Sequence, residues 1–316
     1  MVLVYSDDKK FVLELLSKGS ELAKELQKKV IAVAIGSDAA AKEYLEHGAD
    51  SVIVVDTPLH QFKVEEYASM LQHLIRAHSH EIVLIGSNKN GKELAGRLAA
   101  KLDAGCIMDC TKVMLNDKKL TTERIVYSGN AIAVEQFTSY PQIITVPPKV
   151  FDPLPRNEHH KGEIIHKTID AESSSSKILK TQEMKSEGVN VEDAEIIVSC
   201  GRGFKKKEDI RLVGELAEVL KGRTVGCSRP IAADLKWLSE DHWIGLSGHK
   251  VKPKLYIACG ISGQIQHIAG MRDSGVIVAI NKDPEALIFK SADYGIVGDL
   301  YQVLPKLTNA IKEKMG

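Results

Sequence analysis

KLYIACGISGQIQHIAGMRDSGVIVAINKDPEALIFKSADYGIVGDL, residues Lys254 to Leu300, decides the fold class of this chain. Leu255 to Cys259 is a short apolar run that reads as a buried strand. Gly260-Ile261-Ser262-Gly263 breaks it, and Gln264 to Met271 continues with helical spacing. A second apolar strand, Val276 to Ile280, ends in Asn281-Lys282-Asp283-Pro284. A third, Tyr294 to Val297, ends near Asp299 and Leu300. A strand, a glycine turn and a helix in succession aim backbone N–H groups at one point, which suits an anionic or electron-rich ligand group. Gln266 and His267 fall in the first turns of that helix. Polar groups thus gather at the carboxyl ends of consecutive strands, where open α/β sheets bind ligands.

The same alternation extends outward from this stretch. Strands are expected at Val2 to Tyr5, Val30 to Ile35, Ser51 to Val55 and Ile82 to Ile85. Helices are expected at Phe11 to Lys28, Ala39 to Glu46, Val64 to Ala77 and Lys92 to Leu102. Strand–helix alternation gives a parallel sheet covered on both faces. The character changes after Gly105, where Cys106 to Met114, Arg124 to Tyr127, Ile132 to Phe137 and Gln142 to Val146 read as β segments, with a hairpin turn at Asn116-Asp117. Glu163 to Ile169 returns as a strand. The polar run Ser173 to Asn190 reads as a connector and hinge. From Ala194 the alternation restarts, with strands at Glu195 to Ser199 and Thr224 to Cys227 and helices at Glu208 to Leu220 and Ala232 to Leu238. The expectation is α/β architecture in two domains, each a mostly parallel sheet with helices on both faces. The first is 1–188, a scaffold with a β-rich extension and the connector; the second is 189–316.

Bulk properties exclude several classes. The chain has 316 residues, usual for two domains. Its 42 basic and 42 acidic side chains cancel, so nothing in the charge asks for nucleic acid or an anionic membrane. No apolar run approaches the roughly 20 residues that span a bilayer, and the N-terminus enters a strand without a signal-peptide pattern. A cytoplasmic location with no membrane insertion is the expectation. Five cysteines with no close CxxC pair argue against a disulfide framework or a metal cluster. Cys200, Cys227 and Cys259 end apolar strands and read as small buried hydrophobes.

The Lys254 to Leu300 stretch resembles the signature of the electron-transfer flavoprotein alpha subunit. The matching residues are Leu255-Tyr256-Ile257-Ala258, Gly260-Ile261-Ser262-Gly263, Gln266-His267, Gly270-Met271, Ala279 to Pro284 and Ala292 to Val297. The resemblance is strong from Ala194 onward and architectural before it. It implies a Rossmann-like domain that binds FAD. It also implies a heterodimer with a beta subunit, an electron donor such as an acyl-CoA dehydrogenase, and a quinone oxidoreductase or other redox acceptor. The chain would be an electron carrier rather than a substrate-converting enzyme. Whether beta carries AMP or a second FAD is set by that other chain.

The resemblance also assigns residues to the cofactor. Arg202, in Gly201-Arg202-Gly203, offers a planar donor fork suited to phosphate. Arg229, in Ser228-Arg229-Pro230, matches the arginine that lies against the flavin ring in the family, where a fixed cation favours a flavin carrying one extra electron. Gly245-Leu246-Ser247 matches the loop whose hydroxyl points at the reactive nitrogen; many relatives have glutamine and threonine where this chain has Leu246 and Ser247. That loop looks more like the subgroup of carnitine and nitrogen-fixation operons. Gly260, Ile261, Ser262, Gly263, Gln264 and Gln266 form the turn and helix start. His267 matches the family histidine near the pyrimidine carbonyl, as a neutral donor or an imidazolium. Asn281 and Asp299, with Leu300 beside it, fall to the adenosine end.

Blander readings compete with each of these. Arg202 could be an exposed turn residue, Arg229 a structural ion-pair member, and His267 a core histidine with one satisfied hydrogen bond. Asn281-Lys282-Asp283-Pro284 is not a guanine-reading motif, because proline stands where that motif needs aspartate and no P-loop exists. His73, His78, His80, His159 and His160 read as surface residues. Two other function classes stay open: a self-sufficient NAD- or FAD-dependent oxidoreductase, and a nucleotide-binding regulatory protein. No nucleophile–base pair or close carboxylate pair supports the first.

Overall fold

Strands that are apolar at nearly every position must be covered on both faces, and the first half of the chain shows how. The computed structural model describes residues 1–56, 61–127, 131–169, 174, 176–181, 190–221 and 224–315. β1 (Val2–Tyr5), α1 (Lys9–Leu26), β2 (Val30–Ile35), α2 (Asp38–Glu46), β3 (Ser51–Val55), α3 (Val64–His78), β4 (Ile82–Gly86) and α4 (Lys89–Leu102) alternate. Every residue of β1 is buried. Val2 and Val4 pack with Leu15 and Leu22 of α1. Leu3 and Tyr5 point the other way, into Leu71 and Leu74 of α3 and Leu94 and Leu98 of α4. The period-2 alternation of strand side chains thus builds two cores from one sheet.

β5 (Gly105–Ile107), β6 (Cys110–Asn116), β7 (Lys119–Val126), β8 (Ala131–Gln136), β9 (Gln142–Val146) and β10 (Glu163–Lys167) complete this half. The large sheet is parallel, in the order β10-β3-β2-β1-β4-β9-β5; β6-β7-β8 form a separate antiparallel sheet. The single β run expected over Cys106 to Met114 is therefore two strands in two sheets. Asp109, with φ 58°, turns the chain from one sheet to the other. The β6–β7 turn falls at Asp117-Lys118, one residue past the expected dipeptide, with φ of 50° and 62° as a type I′ hairpin requires.

One surface expectation is corrected here. His80 is 3% exposed, and neither ring nitrogen has a hydrogen-bond partner. It sits where α3 has ended and β4 begins, under the core that covers β4. His73 and His159 are exposed, and His78 and His160 half-buried.

The second half repeats the plan. β11 (Ile196–Cys200), α5 (Arg211–Val219), β12 (Thr224–Cys227), β13 (Leu255–Cys259), α6 (Ile265–Met271), β14 (Val276–Asn281), β15 (Tyr294–Val297) and α7 (Leu300–Met315) follow in order. Their sheet is parallel, in the order β12-β11-β13-β14-β15. Counted from β11 that is the 2-1-3-4-5 order of a doubly wound sheet. α5 and α7 share one core with Val198, Cys200, Cys227 and Cys259. Tyr256, Ala258, Ile277 and Ala279 face the other core, with Met271 of α6.

Two helices expected here differ. Glu208 to Leu220 splits into a 3₁₀ turn, Lys207–Ile210, and α5. Ala232 to Leu238 is not an α-helix. A single π-type turn, Pro230–Asp234, stands there instead. Leu235 N–H bonds Pro230 O at 2.9 Å and Trp237 N–H bonds Ile231 O at 2.9 Å, wider steps than an α-helix makes. Lys236, at φ 53°, then ends it.

The chain divides into two compact units, Met1–Thr181 and Gln182–Gly316. Gly188, where the domain boundary was expected, and most of the Ser173 to Asn190 connector lie outside the described residues.

Candidate functional site

Strand register brings the site together. Cys200 pairs with both Cys227 and Cys259, so β11, β12 and β13 end level. The ladder runs one residue further: Ser228 N–H bonds Cys200 O at 3.0 Å, and Gly201 N–H bonds Cys259 O at 2.9 Å. The residues that follow each strand emerge side by side. Chain connections diverge between β11 and β13, the switch point where a doubly wound sheet opens a crevice at its carboxyl edge. A pocket of about 510 Å³ lies there.

The pocket wall contains Arg202, Ser228, Arg229, Gly245, Leu246, Ser247, Gly260, Ile261, Ser262, Gln264, Gln266, His267 and Asn281. Three expected site residues are not in that wall. Leu300 is 6% exposed and packs in the α5–α7 core. Asp299 accepts the Tyr301 N–H at 3.0 Å and starts α7. Gly263 is buried behind Ser262. Gly203, Pro230, Trp243 and Ile244 also line the pocket. Trp243 and Ile244 were not legible as site residues because they precede the glycine motif of their loop. A large aromatic two residues before a loop glycine was the available signal.

The glycines serve the turns themselves. A methyl at Gly201 would lie 2.4 Å from Gly260 O, and Gly203 N–H donates to that same oxygen at 3.0 Å. Gly260 has φ +64°. The two turns therefore interlock, with the Leu300 side chain against both. Gly263, at φ +81°, passes so close to the next turn that a methyl would meet Ile288 N at 2.1 Å. Asn281 is a brace as well: its amide donates to Ile261 O at 2.9 Å and its carbonyl accepts the Asp283 N–H at 3.0 Å.

The loop carrying Ser247 is tied on two sides. Ile244 N–H bonds Cys227 O at 2.9 Å, and Leu246 N–H bonds Gln266 O at 2.7 Å. Its hydroxyl residue is thereby set between the ends of β12 and α6. Among the described residues, Arg202 and Arg229 are the charged residues of the wall and no carboxylate lines it. Among the described residues neither arginine has an ion-pair partner. The Arg229 guanidinium carbon instead lies 6.0 Å from the Trp243 ring centre. The pocket is electropositive, a field that attracts phosphate.

His267 is 7% exposed, and its Nε2 lies 2.9 Å from the Tyr256 hydroxyl. Burial pushes its pKa down to about 4, with the nearby Ile244 carbonyl a minor opposing influence. Burial therefore favours the neutral ring over the imidazolium. Nδ1 has no hydrogen-bond partner of ordinary geometry. Burial holds the Tyr256 phenol far above its ordinary range, so it keeps its proton. Ser199 Oγ is near enough to the phenol to influence it but makes no well-formed bond. Burial raises the Cys200 thiol to about 12 and those of Cys227 and Cys259 further, so these thiols stay protonated and unreactive.

Residues 2–172 match the family described as Electron transfer flavoprotein domain, and residues 190–272 match Electron transfer flavoprotein FAD-binding domain. The chain belongs to the electron transfer flavoprotein family. It is 41% identical over 308 residues to an electron transfer flavoprotein subunit alpha of Thermoanaerobacterium thermosaccharolyticum, covering 95% of this chain and 93% of that one. It is 39% identical to Protein FixB of Clostridium saccharobutylicum, covering 96% and 92%. A subunit alpha of Megasphaera elsdenii is also 39% identical, at the same coverage of 96% and 92%.

FAD is the cofactor of the second unit, and the pocket fits its chemistry. Arg202, without a facing carboxylate, suits a pyrophosphate, and Arg229 adds a second uncompensated cation to the wall. Trp243, Ile244, Leu246 and Ile261 supply flat and apolar wall for a ring system. The family function, electron transfer through a flavoprotein, follows from membership. No described helix is long and apolar enough to cross a membrane.

Proposed function

We propose that this chain is the alpha half of an alpha–beta heterodimer that takes electrons from a dehydrogenase and delivers them to a quinone oxidoreductase or another redox acceptor. The observation that carries this reading is the electropositive pocket at the switch of the second sheet, with a buried neutral histidine in its wall. Bound FAD accepts and releases electrons singly or in pairs, so the protein's task is to hold and tune it.

The family resemblance assigns the roles of the residues. Arg202 and the turn N–H groups bind the pyrophosphate. Arg229 sets a cation against the ring. The Ser247 hydroxyl serves the reactive ring nitrogen. His267, with Nε2 held 2.9 Å from the Tyr256 hydroxyl, serves the pyrimidine carbonyl as a neutral ring. Asn281 and Asp299 serve the adenosine end. The absence of a carboxylate from the wall disfavours a self-sufficient oxidoreductase, which needs an acid or base at its substrate.

The face offered to beta is the outer edge of the antiparallel sheet in the first unit. Ile132 and Val134 on β8 are 63% and 66% exposed, and β8 has a strand neighbour on one side only. Apolar side chains on an open strand edge mark an interaction surface. Co-expression with the gene product encoded beside it tests the reading. A heterodimer that reduces an acceptor only when a dehydrogenase and its substrate are present is the expected result, and Val134→Asp should weaken the dimer at least tenfold. Turnover of a small substrate by this chain alone would overturn the reading.

A further inference from the structure

We infer that Trp243 is a positioning residue for Arg229, holding the guanidinium over its ring so that the cation meets the cofactor pre-aimed. The inference rests on the FAD reading of the pocket and adds a residue that the glycine and arginine motifs do not contain.

Four observations carry it. The Arg229 guanidinium carbon lies 6.0 Å from the Trp243 ring centre, within the range of an attractive cation–π contact. Among the described residues Arg229 has no ion pair to hold it elsewhere, so the ring is its charge-sensitive neighbour. Both residues line the same pocket. The Trp243 backbone is fixed: its main-chain N–H bonds Glu240 O at 3.0 Å, and its carbonyl accepts the His249 N–H at 2.8 Å. Gly248 closes the loop against it. A methyl on Gly248 would come within 2.8 Å of the indole, so the missing side chain is what seats the ring.

A free arginine on a mobile stem carries a large rotamer entropy. An indole face removes part of that freedom before the cofactor arrives, and it does so without neutralising the charge, as a carboxylate would. A carboxylate partner would cancel the field that Arg229 exerts on the flavin; a π face leaves it intact. Trp243 also sits in the loop that bears Ser247, so one loop sets both the cation and the hydroxyl.

The test uses the FAD-loaded alpha–beta complex and reads the equilibrium constant of the first one-electron reduction by potentiometric titration. Trp243→Leu should lower it about two- to fivefold, the worth of an exposed cation–π pair, with FAD still bound. Trp243→Phe should keep most of the effect. Tryptophan with increasing fluorination incorporated at position 243 keeps the ring shape and weakens its negative face, so the constant should fall stepwise even if Trp243→Leu does not fold. In an Arg229→Ala background none of these changes should matter. A flat response to fluorination, or an equal fall in the Arg229→Ala background, would show that Trp243 is a packing residue and overturn the inference. A complex that holds no FAD in any form, wild type included, would overturn the cofactor reading and this inference with it.

Discussion

Arg229 is where a single residue most affects the function. Its charge is not balanced inside the pocket, so it acts on whatever lies beside it. Losing one charge-assisted contact costs roughly 1–3 kcal/mol, and a tenfold change is about 59 mV for one electron. Arg229→Ala should lower the first reduction potential by roughly 40–130 mV while FAD stays bound. Stepwise reductive titration measures it, and an unchanged potential would make the arginine structural. His80 gives a second prediction, far from the pocket. Burial holds its pKa at about 4 against an ordinary 6.5. Between those values the unfolded chain binds more protons, so stability rises with pH. The contribution is complete above pH 6.5 and is lost as pH falls through 4, by about 3 kcal/mol at most. Urea unfolding across that window should show the loss, and His80→Phe should flatten it. A wild-type slope retained in His80→Phe would assign the effect to other groups. Composition could not have shown this histidine: Ser79 and His80 follow the helix like surface residues, and only the αL turn at Ser79 carries the ring inward.

At the scale of elements, strands that are apolar throughout were fully legible, because burial on both faces writes itself into every position. β1, β2, β3, β9, β12 and β13 begin and end where the apolar runs do. The segment after Pro230 was not legible. Its Ile231, Ala232 and Leu235 have helical spacing, yet the hydrogen bonds reach five and six residues back because the segment is anchored to the end of β12. Tertiary attachment overrode propensity there. The site glycines were legible as turns but not in their purpose, which is to let two turns interlock. Gly263 tests that purpose. Gly263→Ala would add a methyl 2.1 Å from Ile288 N in a left-handed backbone. It should destabilise the second unit by at least about 2 kcal/mol, since both overpacking and the positive φ oppose it. Urea unfolding with a change below about 0.5 kcal/mol would show that the turn can relax.

For the whole molecule, the two parallel sheets and the placement of the pocket followed from strand–helix alternation and the switch-point rule, and 13 of the pocket's wall residues were named from motifs at four strand ends and one loop, most of them through the family resemblance. Trp243 escaped because its one local signal, an aromatic two residues before a loop glycine, does not name a partner; the partner becomes visible only when β12 and its following loop close on Arg229. The account's central claim is that this electropositive pocket holds FAD. The most direct measurement is the FAD affinity of the alpha–beta complex, wild type against Arg202→Glu, by equilibrium titration after cofactor removal. The claim predicts that the wild-type complex takes up FAD and that charge reversal at Arg202 weakens binding at least tenfold, because a carboxylate would then face the pyrophosphate. Equal affinity in the two complexes, or a wild-type complex that binds no FAD, would contradict it.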